Sequence, residues 1–511
     1  MTRPARADRP DDVVIGVDIG TTSTKSVAYD VDGRPGATHA VSYPLNEPLP
    51  GRAEQDPDVI LAAVIETIRE VARKSEGRVL ALSFSAAMHS LIGLDHNGVP
   101  LTASITWADS RASEQADRIR SSARGLGLHM RTGTPVHPMS PFTKLVWFRE
   151  HEAELCERTV HWVGIKDYVL LGLCGALITD HSVASGTGLM DIHRLAWDVE
   201  ALQLAGIGSA QLPELAPATT VLPGLTGQAA AAMGLPADTT VVLGAADGPL
   251  ANLGLGAVRP GVAACSIGTS AALRVMVEHP AVDPRGSVFC YALTEDHWVV
   301  GGAINNGGIV LGWTGDALAP GLGPHPEDQL LEIAAQAPPG SGNLIMLPYL
   351  LGERAPHWSS LSRGAYVGLT REHRRHHLIR AAVEGVCQQL ALVLDAVRAA
   401  GNDVITIRAT GGFARSAFWR QLLADVLDFE IEFPAGHEGS SFGAALLAMQ
   451  ALGICSIDIA TDLVTITDTV RPDPASAAVY RAMRPVFRDL YDALVPAFTA
   501  LNRLTPTLPM S

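Results

Sequence analysis

A chain of 511 residues is longer than one hydrophobic core ordinarily serves, so two sizeable domains are expected. Hydrophobic residues at 47% against charged residues at 18% exclude a disordered chain and a coiled coil. A formal net charge of -15 provides no basic footprint for nucleic acid or an anionic membrane surface, which leaves small-molecule chemistry as the expectation.

Met1 to Asp12 carries arginines, prolines and aspartates without an apolar core, so it reads as a frayed tail and not as a signal peptide or anchor. No uncharged apolar run reaches the roughly 18 residues that span a bilayer, and the protein is expected in the cytoplasm. Six scattered cysteines lack the spacing of a zinc or redox pair and read as reduced core residues.

Val13 to Asp18 is a β-branched run followed by Gly20 and hydroxyl residues, and Ser26 to Tyr29 resumes a strand that turns at Asp32-Gly33. This predicts a hairpin opening a sheet. Asp56-Pro57 predicts a helix start, and Ile60, Val64, Ile68 and Val71 form a helical stripe to pack on that sheet. Val79 to Ser85 returns to strand and ends at Ala86-Ala87-Met88-His89-Ser90, the kind of strand end where α/β folds hold ligands. Proline and glycine at Leu212 to Pro236 and at Ala317 to Pro326 predict connectors. Further on, a long helix over His376 to Ala399, a strand over Val404 to Thr410 and a helix over Arg415 to Leu427 follow from period and punctuation.

Gly16-Val17-Asp18-Ile19-Gly20-Thr21-Thr22-Ser23 is echoed by Ala264-Cys265-Ser266-Ile267-Gly268-Thr269-Ser270, so the chain reads as two related halves divided near residue 255. A glycine followed by small hydroxyl residues lets backbone N–H groups converge on a phosphate. One copy reads more readily as a strand with a tight hairpin turn, whereas two copies, one opening each half, suit a nucleotide held between two domains. Asp18, at its strand end, is placed to hold Mg²⁺ on phosphate oxygens, with a turn-forming Asp as the plainer reading. Lys25 is placed to neutralise charge on a transferred phosphoryl group.

The strand Val241 to Ala246 ends on a lone carboxylate, Asp247, which beside a phosphate would accept the proton of an attacking hydroxyl. Gly411-Gly412 joins a strand to a helix near Ser416 and suits the α-phosphate and adenine of a nucleotide. Neither a dinucleotide fingerprint nor a Walker loop is present. Met88, His89, Trp107, Asp109, Arg111 and His137 supply the polar and aromatic mixture of a polyhydroxylated ligand's pocket. Asp109 with Arg111 reads alternatively as a salt bridge, and Lys144 is a further candidate donor.

These motifs resemble the FGGY carbohydrate kinases, and their gluconokinase branch in particular. Asp18 to Lys25 is similar to the family's first phosphate motif, Ser266 to Ser270 to the second, Thr410-Gly411-Gly412 to the adenosine motif, and Gly352-Glu353-Arg354-Ala355-Pro356 to a signature segment of the second domain. The branch is suggested by Ser85 to Leu91, Thr106 to Asp109, Gly133 to Pro141, and Asn305-Asn306-Gly307-Gly308. The resemblance implies an α/β fold of two ribonuclease-H-like domains of the actin, hexokinase and Hsp70 ATPase type with an interdomain cleft, residues 13–255 and 256–511. It also implies MgATP as donor, Asp247 as catalytic base, Gly308 among the phosphate contacts, a small sugar or sugar-acid substrate, and a homodimer. Many relatives carry a polar residue where this chain has Pro249. Gluconate is the expected substrate, with a pentulose as alternative. A chaperone-like or actin-like ATPase would have no need of a sugar pocket, and a phosphatase of the same superfamily is separated by whether ADP release depends on sugar.

Overall fold

The computed structural model describes residues 12–323, 326–435 and 439–504. The expected tail lies outside the described residues except for Asp12, which is buried and accepts a hydrogen bond from the Arg78 amide at 3.3 Å. The chain forms two compact units. The first comprises residues 1–260, 275–300 and 435–465, and the second comprises residues 261–274, 301–434 and 466–511.

In the first unit a six-stranded sheet runs in the order Val221–Leu222, Thr240–Ala246, Val79–Ala86, Val13–Ile19, Ser23–Asp30, Pro35–Ser42. The last three strands form an antiparallel meander, while Val79–Ala86 lies parallel to both Val13–Ile19 and Thr240–Ala246. The helix Pro57–Lys74 is capped by Asp56, which accepts from the amides of Asp58 and Val59. Its buried face, Ile60, Val64, Ile68 and Val71, lies in one core with Ile15, Val17 and Phe84, so each methylene excluded from water adds about 0.8 kcal/mol.

The helix Gly439–Ala451 packs against the strands Val13–Ile19 and Val79–Ala86. The approach is close: a Cβ on Gly16 would stand 2.0 Å from the Ser441 carbonyl oxygen, and one on Gly254 would stand 2.0 Å from that of Gly439. Only glycine leaves room for such backbone contact.

The second unit repeats the strand order. A seven-stranded sheet runs in the order Phe289–Ala292, Trp298–Ile304, Ala271–Val277, Gly261–Ile267, Val404–Thr410, Ile431–Pro434, Ile466–Val470, its last six strands matching the first sheet read from the opposite edge, with Gly261–Ile267 parallel to Val404–Thr410. Gly261–Ile267 thus takes the place that Val13–Ile19 has in the first sheet, as the echo requires. The helix Arg375–Ala399 is long and apolar enough to cross a membrane, yet it is the buried core helix of this unit.

The segment Leu212 to Pro236 is more ordered than its proline and glycine content predicts. It contributes the strands Glu214–Ala216 and Val221–Leu222 and the helix Gly227–Met233, because the short strands are held by neighbours distant in sequence. Residues 324–325 of the second expected connector lie outside the described residues. All six cysteines are free.

Candidate active site

Three parallel strands of the first sheet end together, and that shared carboxyl edge is where such sheets hold ligands. Asp18 is next to last on Val13–Ile19, Ser85 next to last on Val79–Ala86, and Asp247 follows directly on Thr240–Ala246. Asp18 and Ser85 are register partners, and the Ser85 hydroxyl donates to Asp18 at 2.8 Å. Asp18 also pairs across the hairpin with Lys25. Asp247 opens the helix Asp247–Gly254 and accepts from the Gly248 amide at 2.7 Å, a position where the helix dipole favours a carboxylate.

The turn between the first two strands is closed by the Gly20 amide donating to the Ser23 carbonyl at 3.0 Å. Tyr43 donates its hydroxyl to the Gly20 carbonyl at 2.7 Å, and Gln55 donates to the Thr21 carbonyl at 2.6 Å. Burial raises the Tyr43 phenol to about 12, which keeps it a donor. The Trp107 indole N–H donates to the Thr21 hydroxyl at 2.9 Å. Thr21, Gln55, Met88, Thr106 and Trp107 line one small cavity, so the first loop and the expected sugar wall are contiguous.

The wall itself is held from behind. His89 has φ +68 and binds the Gly186 carbonyl through Nδ1 at 2.7 Å. That left-handed backbone is costly for a residue with a Cβ and is retained only where surroundings impose it. Here Lys144 imposes it. Its ammonium is completely buried and donates to the carbonyls of His89 at 2.8 Å, Thr106 at 2.7 Å and Met139 at 2.8 Å. Lys144 therefore ties together the three segments that carry Met88 and His89, Trp107, and His137. The sequence reading offered it as a donor to substrate, but an ammonium has three N–H groups and all three are committed to backbone.

Asp109 is buried and accepts from the Ala53 amide at 2.8 Å, from the Arg111 amide at 3.0 Å and from the Arg111 guanidinium at 2.8 Å. Arg111 also binds Glu54 and lies over the Trp147 ring at 5.2 Å. Burial opposes the guanidinium charge, but Asp109 and Glu54 outweigh it and raise the group. His137 is buried, and its Nδ1 accepts from the Met139 amide at 3.2 Å, an arrangement that places the ring proton on Nε2.

In the second unit the echoed turn is one residue tighter, with the Gly268 amide donating to the Ser270 carbonyl at 2.9 Å. Gly308 donates to the Gly268 carbonyl at 2.7 Å and Gly307 to the Thr269 carbonyl at 3.1 Å. A Cβ on Gly307 would come within 2.6 Å of the Ser270 backbone. The Glu353 carboxylate accepts from the Asn305 amide at 2.7 Å and from the Asn306 side chain at 3.1 Å, so the signature segment braces the strand that leads into those glycines. Burial raises Glu353 to about 7. Sequence reasoning missed this brace, whose only signal was an acidic residue inside an otherwise special motif.

Gly411 has φ +118, and a Cβ there would meet the Ile267 carbonyl oxygen at 2.1 Å. A short 3-10 turn, Gly412–Arg415, precedes the helix Ala417–Leu427, whose cap is the Ser416 hydroxyl accepting from the Trp419 amide at 3.3 Å. The second unit thus brings Gly268 to Ser270, Gly308 and Gly411 to the ends of adjacent strands.

Residues 13–254 match the N-terminal domain of the FGGY family of carbohydrate kinases, and residues 263–452 match its C-terminal domain. The chain is 41% identical over 498 residues to a gluconokinase of Bacillus subtilis, covering 96% of this chain and 97% of the relative. It is 30% identical over 497 residues to a xylulose kinase of the same organism, covering 96% and 98%. A gluconate kinase structure from Lactobacillus acidophilus matches with TM-score 0.92 at 37% identity, covering 96% of this chain and 99% of that one. A ligand-bound xylulose kinase structure from the same species matches with the same score and identity, covering 96% and 100%. With both family domains matched in order and full-length relatives above the level at which a family is shared, the chain belongs to the FGGY family of carbohydrate kinases, enzymes that take ATP as phosphate donor.

Proposed function

We propose that the protein is a gluconokinase, transferring the γ-phosphoryl group of MgATP to the primary hydroxyl of D-gluconate to give 6-phosphogluconate. The observation that carries this is the gap in identity, 41% to the gluconokinase against 30% to the xylulose kinase of the same organism over almost equal lengths.

In this reading Asp247 takes the proton from the attacking hydroxyl. Gly20, Thr21, Thr22, Ser23 and Lys25 in one unit, with Gly268, Thr269, Ser270 and Gly308 in the other, serve the phosphates. Gly411, Gly412 and Ser416 serve the adenosine. Asp18 would hold the Mg²⁺ that accompanies the nucleotide, where the ion would draw charge from the phosphates. The donor set suits that ion, because Mg²⁺ is commonly held by one or two carboxylates together with phosphates and retained water. Met88, His89, Trp107 and His137 face the sugar acid. Asp109 and Arg111 shape the same pocket through their mutual bonds. The enzyme works in the cytoplasm as a homodimer.

A pentulose is the second reading, supported by the equal likeness to the ligand-bound xylulose kinase structure. The test is kcat/KM for D-gluconate and D-xylulose under identical MgATP. Gluconate is expected to be preferred. A ratio below one overturns the substrate and leaves the family untouched.

A further inference from the structure

The strand that delivers Asp247 is irregular just before it does so. Its register against Val79–Ala86 slips between Val242 and Ala245, and Gly244 within the slip has φ +72. A slip of this kind takes backbone groups out of the ladder and re-aims the chain beyond it, so the direction in which Asp247 leaves the sheet depends on what holds the displaced segment.

Two holds come from one buried cluster. Lys166, on the helix Ile165–Cys174, donates its ammonium to the Leu243 carbonyl at 3.1 Å and forms an ion pair with Asp180, both side chains being 0% exposed. Asp180 in turn caps the short helix His181–Ser185, accepting from the amides of Ser182 and Val183 at 2.9 Å each. The Ser182 hydroxyl then accepts from the amide of Ala246 at 3.3 Å, the residue immediately before Asp247. The carbonyl at one end of the slip and the amide at the other are thus tied to one ion pair. The same short helix ends where Gly186 holds His89 and where the Ser185 carbonyl accepts from Thr134 at 2.6 Å.

We infer that Lys166, Asp180 and Ser182 are positioning residues for phosphoryl transfer, setting the aim of Asp247 relative to the sugar wall without touching substrate. A buried ion pair is weak evidence for stability, because desolvation offsets much of its attraction. Its value here is the fixed geometry it gives a displaced strand end. The inference rests on Asp247 being the base, and the test separates the two.

Turnover is measured for Ser182→Ala, and for Lys166→Met combined with Asp180→Asn, each in the wild-type and the Asp247→Asn background. Ser182→Ala strands no charge, so it decides alone if the paired variant does not fold. A small misplacement of a reacting group can cost about 100-fold, and a fall in kcat of about 10- to 100-fold is expected in the wild-type background, with KM for ATP within about two-fold. In the Asp247→Asn background the same substitutions should change the residual rate by less than about two-fold, because a misaimed group that no longer takes a proton has nothing left to lose. Equal losses in both backgrounds, or wild-type kcat in the Ser182→Ala enzyme, overturn the inference. Full activity of Asp247→Asn by itself overturns the base assignment instead.

Discussion

The Trp107 indole N–H donates to the Thr21 hydroxyl at 2.9 Å, so one hydrogen bond joins the proposed sugar wall to the proposed first phosphate loop. Thr21→Val keeps the shape and removes that acceptor. Losing this half-buried bond costs about 0.5 to 1.5 kcal/mol, expected as a lower kcat/KM for the sugar with only a small fall in melting temperature. Trp107→Phe should lose a similar amount, and the double variant no more than the worse single. Fully additive losses in that cycle would show that the two residues act separately.

Asp247→Asn should lower kcat by about 10² to 10⁴, the usual cost of a missing general base, while calorimetric titration finds ATP binding retained. Turnover near the wild-type rate would remove Asp247 from the reaction.

Lys144 carries a pH signature. Burial pushes its ammonium down to about 7 from 10.5, with Asp109 acting in the opposite direction. Between those values the unfolded chain binds a proton that the folded chain releases, so this group's contribution to stability rises with pH across the window and is fully lost once pH falls below about 7. The melting temperature of the wild type relative to Lys144→Met should therefore climb from pH 7 to pH 10. A flat difference would mean that the ammonium stays charged in the fold throughout.

Gly244→Ala tests the displaced strand directly. The position combines φ +72 with a Cβ only 1.9 Å from the Phe84 carbonyl oxygen. Left-handed strain and overpacking each cost about 1 to 3 kcal/mol, so thermal unfolding should show one of the larger single-residue losses in the chain. A melting curve matching the wild type would mean that the strand relaxes freely, contrary to the close approach described above.

In the second unit, replacing Thr269 with a bulky residue should weaken ATP affinity without unfolding, since the turn is exposed and braced from behind by Gly307 and Gly308. Unchanged affinity on calorimetric titration would make the echoed turn structural only.

What was legible in the sequence was what local rules govern. Asp56, Pro57 and the stripe from Ile60 to Val71 announce a capped amphipathic helix, and the structure has it at Pro57–Lys74. Val404–Thr410 is read to the residue, since β-branched positions run up to a Gly-Gly stop. The helix after that stop begins later than expected, because Ser416 is its cap and Gly412–Arg415 coils as a 3-10 turn. What the sequence hid is pairing across distance. Nothing around Lys144 or Lys166 marks either as a fully buried cation, since its partners are carbonyls and a carboxylate from other segments, and backbone acceptors leave no trace in residue identity.

The helix Gly439–Ala451 has a consequence for how the chain is made. It lies against the sheet that holds Asp18 and the strand leading to Asp247, yet it follows that last strand by about 190 residues of sequence and Asp18 by more than twice as many. A ribosome releasing the protein from its amino terminus has already extruded the meander, Asp247 and the segments that carry Met88 and Trp107 before this helix exists. Until it arrives, Gly16, Leu250 and Gly254 present an uncovered face, and exposed apolar surface of that kind invites aggregation. The first unit is thus begun at the amino terminus but completed only after most of the second has been synthesised. A fragment ending at Pro260 should emerge insoluble or loosely packed, and adding residues 435–465 in trans is the route by which its solubility would return.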